Sequence, residues 1–385
     1  YSVSVSGFNI VDGGTFHPIH ITNEDNPNAF YELSYERQDG VLIPMDENIK
    51  GGKIGAILDL RGSKIEENSE GIPTNGVLQN VISQMEAFTK TLIESTNNLY
   101  ASSATTSMQS NTLDLNAGDV LVNSNLNIEK GAFDIVIYDI DGNISARRTI
   151  DIDGSTTMQG TTGNSIEEKI FAQGDDNNDG NANNDIDDYI STFNLATYAN
   201  GNVLELVIDP LAKDRGYTFA IEDKLQTSEF NSGTNFAGAL GLRRYFDGDS
   251  AGNISLNNDL KNNPTKIFAG KAPLTGDNTL SLNIIQQQFE AYNFEVRNAT
   301  YETTMYGMFD VVATEVGVIT NQAILNNETV NAQFNATEME YSSVSKVSID
   351  EELTNLIKYQ TAYGAASKVI TTVDQMMETL LGIKR

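Results

Sequence analysis

The chain closes on VSIDEELTNLIKYQTAYGAASKVITTVDQMMETLLGIKR, residues 347–385. This stretch holds no proline, and its only glycines are Gly364 and Gly382. Ser348 and Glu351 form an S-x-x-E capping box, which starts a helix by satisfying its first backbone N–H groups. Asp350, Glu351 and Glu352 fall in the first turn and Lys384 and Arg385 at the end. Both placements suit the helix dipole. From Ile349 the pattern steps through Leu353, Leu356, Gln360, Tyr363, Ala366, Ile370, Val373 and Met377 to Leu380, at spacings of 4, 3, 4, 3, 3, 4, 3, 4 and 3. This is a coiled-coil-like seam with one slip between Gln360 and Ala366. The pairs Leu356–Ile357, Val369–Ile370, Met376–Met377 and Leu380–Leu381 widen the stripe. A helix apolar on more than one side usually has more than one neighbour. Two readings follow: a core helix of this same chain, or a helix shared with other subunits. The terminal position favours the second, because chain ends are usually loose unless docked.

The rest of the chain supplies a setting for such a helix. Its 385 residues suggest two or three domains. Hydrophobic residues make up 39% and charged residues 20%, enough apolar material for folded cores. Asp and Glu number 53 against 24 Lys and Arg, a net charge of −29. Such a field repels nucleic-acid phosphates and anionic membrane surfaces and favours solubility. There is no cysteine, so disulfides and thiolate chemistry are excluded. No uninterrupted apolar run approaches the ~18–20 residues that span a bilayer. The opening YSVSVSGFNIVDGG lacks the basic and apolar regions of a secretory signal. It begins on Tyr1 rather than Met, which suggests a start inside a longer protein.

Upstream, alternating residues around the Asp12-Gly13-Gly14 turn predict two strands, with more near 30–35 and 41–43. GGKIGAILDLRG, residues 51–62, reads as an amphipathic helix, and residues 77–99 as a long one. From about 113 to 269 the pattern is β-type, including a pair of strands about Asp141-Gly142-Asn143 and another within VLELVIDPLAKDRGYTFAIED. Residues 101–260 carry 25 acidic and 9 basic side chains, a net of −16, so most of the excess charge sits there. LSLNIIQQQFEAYNFEV and the segment after it predict returning long helices. The expected fold class is α+β and multidomain, with long axial helices and an inserted, outward-facing, mainly-β domain. The expected divisions are 1–103 (β segment plus long helix), 104–270 (acidic β domain), 271–345 (returning helices) and 346–385 (axial assembly helix).

At the C-terminus these residues resemble a family. The acidic start Asp350, Glu351 and Glu352, followed by Leu356, Ile357, Gln360, Tyr363, Ala365, Val369, Ile370, Thr372, Met376 and Leu380, is similar to the C-terminal signature of bacterial flagellar axial proteins. Rod, hook and junction proteins share that signature, and DEELTNLIKYQTAYGAASKVI looks most like the junction members. Gly51, Gly52, Lys53, Gly55, Ala56, Ile57, Leu58 and Arg61 resemble a helix start found in the same members. The family's N-terminal helical region has no counterpart in this sequence. The resemblance implies a non-enzymatic structural subunit of the flagellum. It would be exported without a cleaved signal through the flagellar type III pathway and would join hook to filament as an adapter layer. It implies self-assembly, hook protein on one side, a second junction protein or flagellin on the other, and an export chaperone. No cofactor, nucleic acid or membrane is expected. The expected subunit interface is Leu353, Leu356, Ile357, Gln360, Tyr363, Val369, Ile370, Met376, Met377, Leu380 and Leu381.

Other chemistry is sparse. In GDDNNDGNANNDIDDY, Asp175, Asn177, Asp179 and Gly180 match positions 1, 3, 5 and 6 of a calcium loop. Position 12 is Ile186, where a bidentate Glu belongs, and Asp187 misses by one. A solvated loop of Asx turns is the plainer reading. His17 and His20 are the only histidines, too few to close a zinc site. No nucleophile–base motif or phosphate loop appears. The alternatives to a junction subunit are therefore a hook or distal-rod subunit and, in a different class, a calcium-dependent surface adhesin or binding module. A hydrolase ranks last.

Overall fold

A computed structural model of the chain describes residues 2–23, 30–66, 71–224, 233–297, 299–345 and 348–383. The fold is α+β, built of several small antiparallel sheets and long C-terminal helices. It divides into two units, Tyr1–Thr314 and Glu315–Arg385.

In the first unit β1 (Ser2–Val5), β2 (Phe8–Asp12) and β3 (Thr15–Phe16) form a meander. The Gly13 turn joins β2 to β3, and a further turn splits the first apolar run where Ser6 and Gly7 both take positive φ. A second meander follows in β4 (Ile19–Thr22), β5 (Glu32–Glu36) and β6 (Leu42–Pro44). Tyr35, Met45 and Ile49 bury with Leu58 of α1 (Gly52–Arg61) in a small core. α2 (Val77–Tyr100) is the long helix expected from the spacing.

The middle of the chain is a β domain around one large core. Its strands are β7 (Ser107–Gln109), β8 (Gly131–Tyr138), β9 (Ile144–Ile152), β10 (Ile190–Tyr198), β11 (Gly201–Ile208) and β12 (Thr218–Lys224). They form two three-stranded sheets, β10-β11-β7 and β12-β8-β9. Alternate residues such as Phe133, Ile135 and Ile137 of β8 and Leu204, Leu206 and Ile208 of β11 share that core. Short helices α3 (Ile166–Ile170), α4 (Ile186–Tyr189), α5 (Pro210–Asp214) and α6 (Phe236–Leu240) flank the sheets. Phe236 of α6 stacks on Phe133 with ring centroids 4.4 Å apart.

The expected pairing of β11 with β12 does not form. Asp209 caps α5 by accepting from Leu211 and Ala212 N–H, Pro210 takes the first helical position, and α5 carries the chain from one sheet to the other. β13 (Phe246–Asp247) and β14 (Ser255–Leu256) then pair ahead of α7 (Asn258–Asn262) and α8 (Thr279–Gln286).

The helix expected through AYNFEV is replaced by a hairpin of β15 (Ala291–Val296) and β16 (Ala299–Thr304). Phe294 and Val296 alternate inward onto Val81, Met85 and Phe88 of α2, a period of two that suits a strand. α9 (Met305–Ser345) starts in this unit, where Met305, Met308 and Val312 complete the same cluster.

The second unit holds the rest of α9 and all of α10 (Ile349–Gly382). Among its described residues none is buried. By length and composition the helical stretch within Met305–Gly382 includes one segment apolar enough to cross a membrane.

A candidate assembly surface

α10 starts where the sequence places it. The Ser348 hydroxyl oxygen accepts from the Glu351 N–H, and Asp350, Glu351 and Glu352 occupy the first turn. Lys384 and Arg385 lie outside the described residues. Thr354, Thr361, Thr371, Thr372 and Thr379 each donate their hydroxyl to the carbonyl four residues back. These polar groups are satisfied within the helix itself, so covering the surface would leave few donors unmade.

Leu353, Leu356, Ile357, Tyr363, Val369, Ile370, Met376, Met377, Leu380 and Leu381 are all more than half exposed, and Gln360 is exposed among them. Isolated exposed apolar residues need no explanation, whereas a continuous stripe of them marks an interaction surface. At 3.6 residues per turn, the first group (353, 356, 357, 360) and the second (369 to 381) centre on directions roughly 140° apart. The slip at Gln360–Ala366 therefore turns the stripe, and the two halves present to different sides.

GGKIGAILDLRG is a joint. The Arg61 guanidinium donates to Asp46 Oδ2 at 2.9 Å and to the Tyr31 carbonyl at 2.7 Å. Asp46 Oδ1 accepts from Leu33 N–H at 2.9 Å. Burial pushes the Asp46 carboxyl up despite that bond and Arg61. α1 is thereby bolted to the second meander. A Cβ on Gly62 (φ +103°) would come within 2.2 Å of the Asn75 carbonyl oxygen, and one on Gly76 (φ +106°) within 2.5 Å of the Gly62 nitrogen. The start of α2 can approach the end of α1 because both positions are glycine. On α1 Gly55 and Leu58 are buried, whereas Lys53 and Ile57 are exposed.

The acidic loop closes on itself. Asp175 accepts from Asp179 and Gly180 N–H, and Asn177 also accepts from Asp179 N–H. Neighbouring Asp176 and Asp187 are held by the Arg148 guanidinium, each at 2.8 Å. No cluster of three acidic or histidine side chains suited to a metal ion occurs among the described residues. The two histidines meet the same residue without forming a metal site: His17 stacks on Tyr35 and its Nδ1 lies 3.1 Å from the Glu36 carbonyl oxygen, while His20 Nε2 lies 2.6 Å from Glu36 Oε2.

The geometry defines a class: a chain whose terminal helix is formed, capped and satisfied, yet has no covering partner within its own unit. The family model for the flagellar basal body rod FlgEFG protein C-terminal matches residues 340–383, which include the whole of α10. Flagellar hook-associated protein 1 of Bacillus subtilis (strain 168) is 29% identical over 80 residues, 21% of this chain and 16% of that protein. Flagellar hook protein FlgE of Caulobacter vibrioides is 58% identical over 41 residues, 11% of this chain and 7% of that protein. The matches thus span under a fifth of each relative's length. The C-terminal segment is similar to the flagellar rod and hook family domain over residues 340–383. A hook-associated protein and a hook protein both appear among the relatives, so the likeness is to flagellar rod and hook proteins in general and not to one member.

Proposed function

We propose that the chain is a non-enzymatic structural subunit of the bacterial flagellum, of the hook-associated protein 1 type, forming the adapter layer between hook and filament. The observation that carries this reading is α10, an exposed apolar helix coincident with the family domain. In this reading Leu353, Leu356, Ile357, Gln360, Tyr363, Val369, Ile370, Met376, Met377, Leu380 and Leu381 bury between copies and against adjacent layers. Burial of apolar surface is the driving force for such association. The acidic β domain would face solvent. The subunit would be extracellular, exported by the flagellar type III pathway with a chaperone. Its neighbours would be hook protein on one side and a second junction protein or flagellin on the other.

A hook or distal-rod subunit is the second reading, supported by the 58% identity with a hook protein over 41 residues. Electron microscopy of a deletion strain separates the two. Hooks that carry no filament, with filament protein lost to the medium, fit the junction; a missing hook moves the assignment to hook or rod. Normal filaments on normal hooks refute both.

A further inference from the structure

The chain holds nine methionines and no cysteine, so thioether is its only sulfur. Met45, Met108, Met158, Met305 and Met308 are buried, and Met85 is half-buried. The three exposed methionines all lie in the second unit. Met339 on α9 is 72% exposed, and the adjacent pair Met376 and Met377 on α10 are 60% and 58% exposed. Exposure decides which thioethers an oxidant reaches, so sulfur chemistry in this protein falls first on these three side chains.

The pair sits where an added polar atom does most harm. Val373 lies one turn before it and Leu380 and Leu381 one turn after, all more than half exposed and all on the same half of the stripe. Among the described residues beside the pair, the side-chain donors are spent or turned away. Thr372 and Thr379 already donate to the Lys368 and Gln375 carbonyls. Asp374 and Glu378 are carboxylates, which accept and do not donate. Gln375 lies on the far side of the helix from the stripe at 3.6 residues per turn.

We propose that Met376 and Met377 are an oxidation site that controls incorporation of the subunit, with a peroxide as the oxidant. The proposal rests on the assembly reading above and adds its regulation. A sulfur lone pair attacks one peroxide oxygen, and the S–O bond forms as the O–O bond breaks. The proton of the transferred hydroxyl passes to the leaving hydroxide, which departs as water. Sulfur gives two electrons to the peroxide, and no other reactant is needed. The step is open while α10 is uncovered and closes once a neighbour covers the pair. Its product, a sulfoxide, is a polar acceptor where the thioether was apolar. Covered by a neighbour's apolar side chains, that oxygen finds no donor on its own helix, which weakens docking about tenfold per sulfoxide. Dedicated reductases return sulfoxide to thioether, so the block is reversible.

The test is a competition in cells. Parent and the double variant Met376→Leu/Met377→Leu are co-expressed as full chains in a strain lacking its own copy. Flagella are sheared off and regrown with or without hydrogen peroxide. The dose is raised until most Met339 in unassembled subunits carries sulfoxide, as read by mass spectrometry. The readout is the variant-to-parent ratio in regrown flagella, divided by the same ratio without peroxide, so the variant's own affinity cancels. We expect the pair to oxidise at that dose and the ratio to rise at least fivefold. An unchanged ratio with the pair oxidised overturns the proposal, as does a pair that stays reduced while Met339 oxidises. Met376→Gln/Met377→Gln carries a polar side chain permanently and should incorporate at least tenfold less than the leucine variant; equal incorporation also overturns the proposal. Ile370→Asp, run in parallel, separates the two readings. Exclusion of Ile370→Asp with free incorporation of the glutamine variant overturns this inference and leaves the assembly reading standing. Free incorporation of both refutes both.

Discussion

Ile370 gives the sharpest test of the α10 surface. It is 70% exposed, on the second half of the stripe. Fully burying an isoleucine is worth about 1.5–3 kcal/mol, so covering the remaining surface contributes about 1–2 kcal/mol per contact. Ile370→Ala keeps the Cβ and should lose most of that, weakening incorporation about 5–10-fold. Ile370→Asp also places a carboxylate against apolar neighbours, which costs several kcal/mol more unless it is paired. Its incorporation should fall more than about a hundredfold. Gln375→Asp is the control: the same charge lies about 170° from the stripe centre at 3.6 residues per turn. Variant and parent are co-expressed in the flagellated strain, and their ratio in purified flagella is compared with that in the cell by mass spectrometry. Near-ultraviolet circular dichroism verifies that the β core stays folded, as expected for a change outside the first unit. Equal incorporation of Ile370→Asp and Gln375→Asp would refute the reasoning, because it would mean that the stripe is never covered.

Four further outcomes follow from the same structure. Amides 353–380, helical but uncovered, should exchange faster in a verified monomer than those of the β core and slow at least tenfold in assembled flagella, since no described residue of this unit is buried; equal exchange in the two states sinks the idea. Arg61→Ala strips a buried carboxylate of its cation, so chemical denaturation should show a loss of about 3 kcal/mol in the unit holding Asp46, and an unchanged midpoint would deny the joint. Burial pushes Glu94 up, although Lys90, Asn127 and Asn235 favour its charged form. The folded state therefore holds that proton more tightly. This contribution is fullest below the ordinary glutamate pKa and is lost as pH rises through the raised one, so Glu94→Gln should flatten the acid-to-neutral fall in melting temperature, and parallel pH curves for parent and variant would rule this out. Calcium should give neither heat nor stabilisation by calorimetry, because Asp175 and Asn177 already accept backbone N–H groups of their own loop and Arg148 holds Asp187; a saturable heat would revive the adhesin reading.

What the sequence made legible was periodic. α1, α2 and α10 carry helical spacing over ten or more residues, and of the expected strands at the β8–β9 turn β9 alternates in burial while β8 is a mostly apolar run buried on both faces. The β15–β16 hairpin was hidden for a local reason. Its turn runs through Arg297, a non-glycine residue at φ +52°, so no glycine or proline announces it. The helical spacing of α8 also runs directly into it. The switch at α5 was hidden because pairing partners are non-local: Asp209-Pro210 looks like a hairpin turn until β11 is seen beside β7 and β12 beside β8. The same holds for the Asp46–Arg61 joint, whose partners are 15 residues apart. The candidate assembly residues remain a proposal, read from an apolar stripe that the described residues of the second unit leave exposed. Their pattern is local, and only their lack of cover needed coordinates.

Under the proposed function, that lack of cover bears on how assembly would be driven. A helix of 34 residues exceeds the roughly 12–15 at which isolated helices become marginal in water. Ser348 caps it, and five threonine hydroxyls are spent on its own carbonyls. Backbone order is therefore largely in place before any partner arrives, and docking needs mainly side-chain ordering. Ordering a disordered tail of that length on contact would cost about 1–2 kcal/mol per residue in backbone entropy. A preformed helix with an apolar stripe avoids most of that cost, so each buried leucine or isoleucine counts toward adhesion between copies. The rotation of the stripe at Gln360–Ala366 then sets what adhesion requires. One neighbour can cover one half only, and a helix with both halves buried needs a second neighbour from another direction. A lone dimer cannot supply that, whereas a closed layer of subunits lying between other layers can.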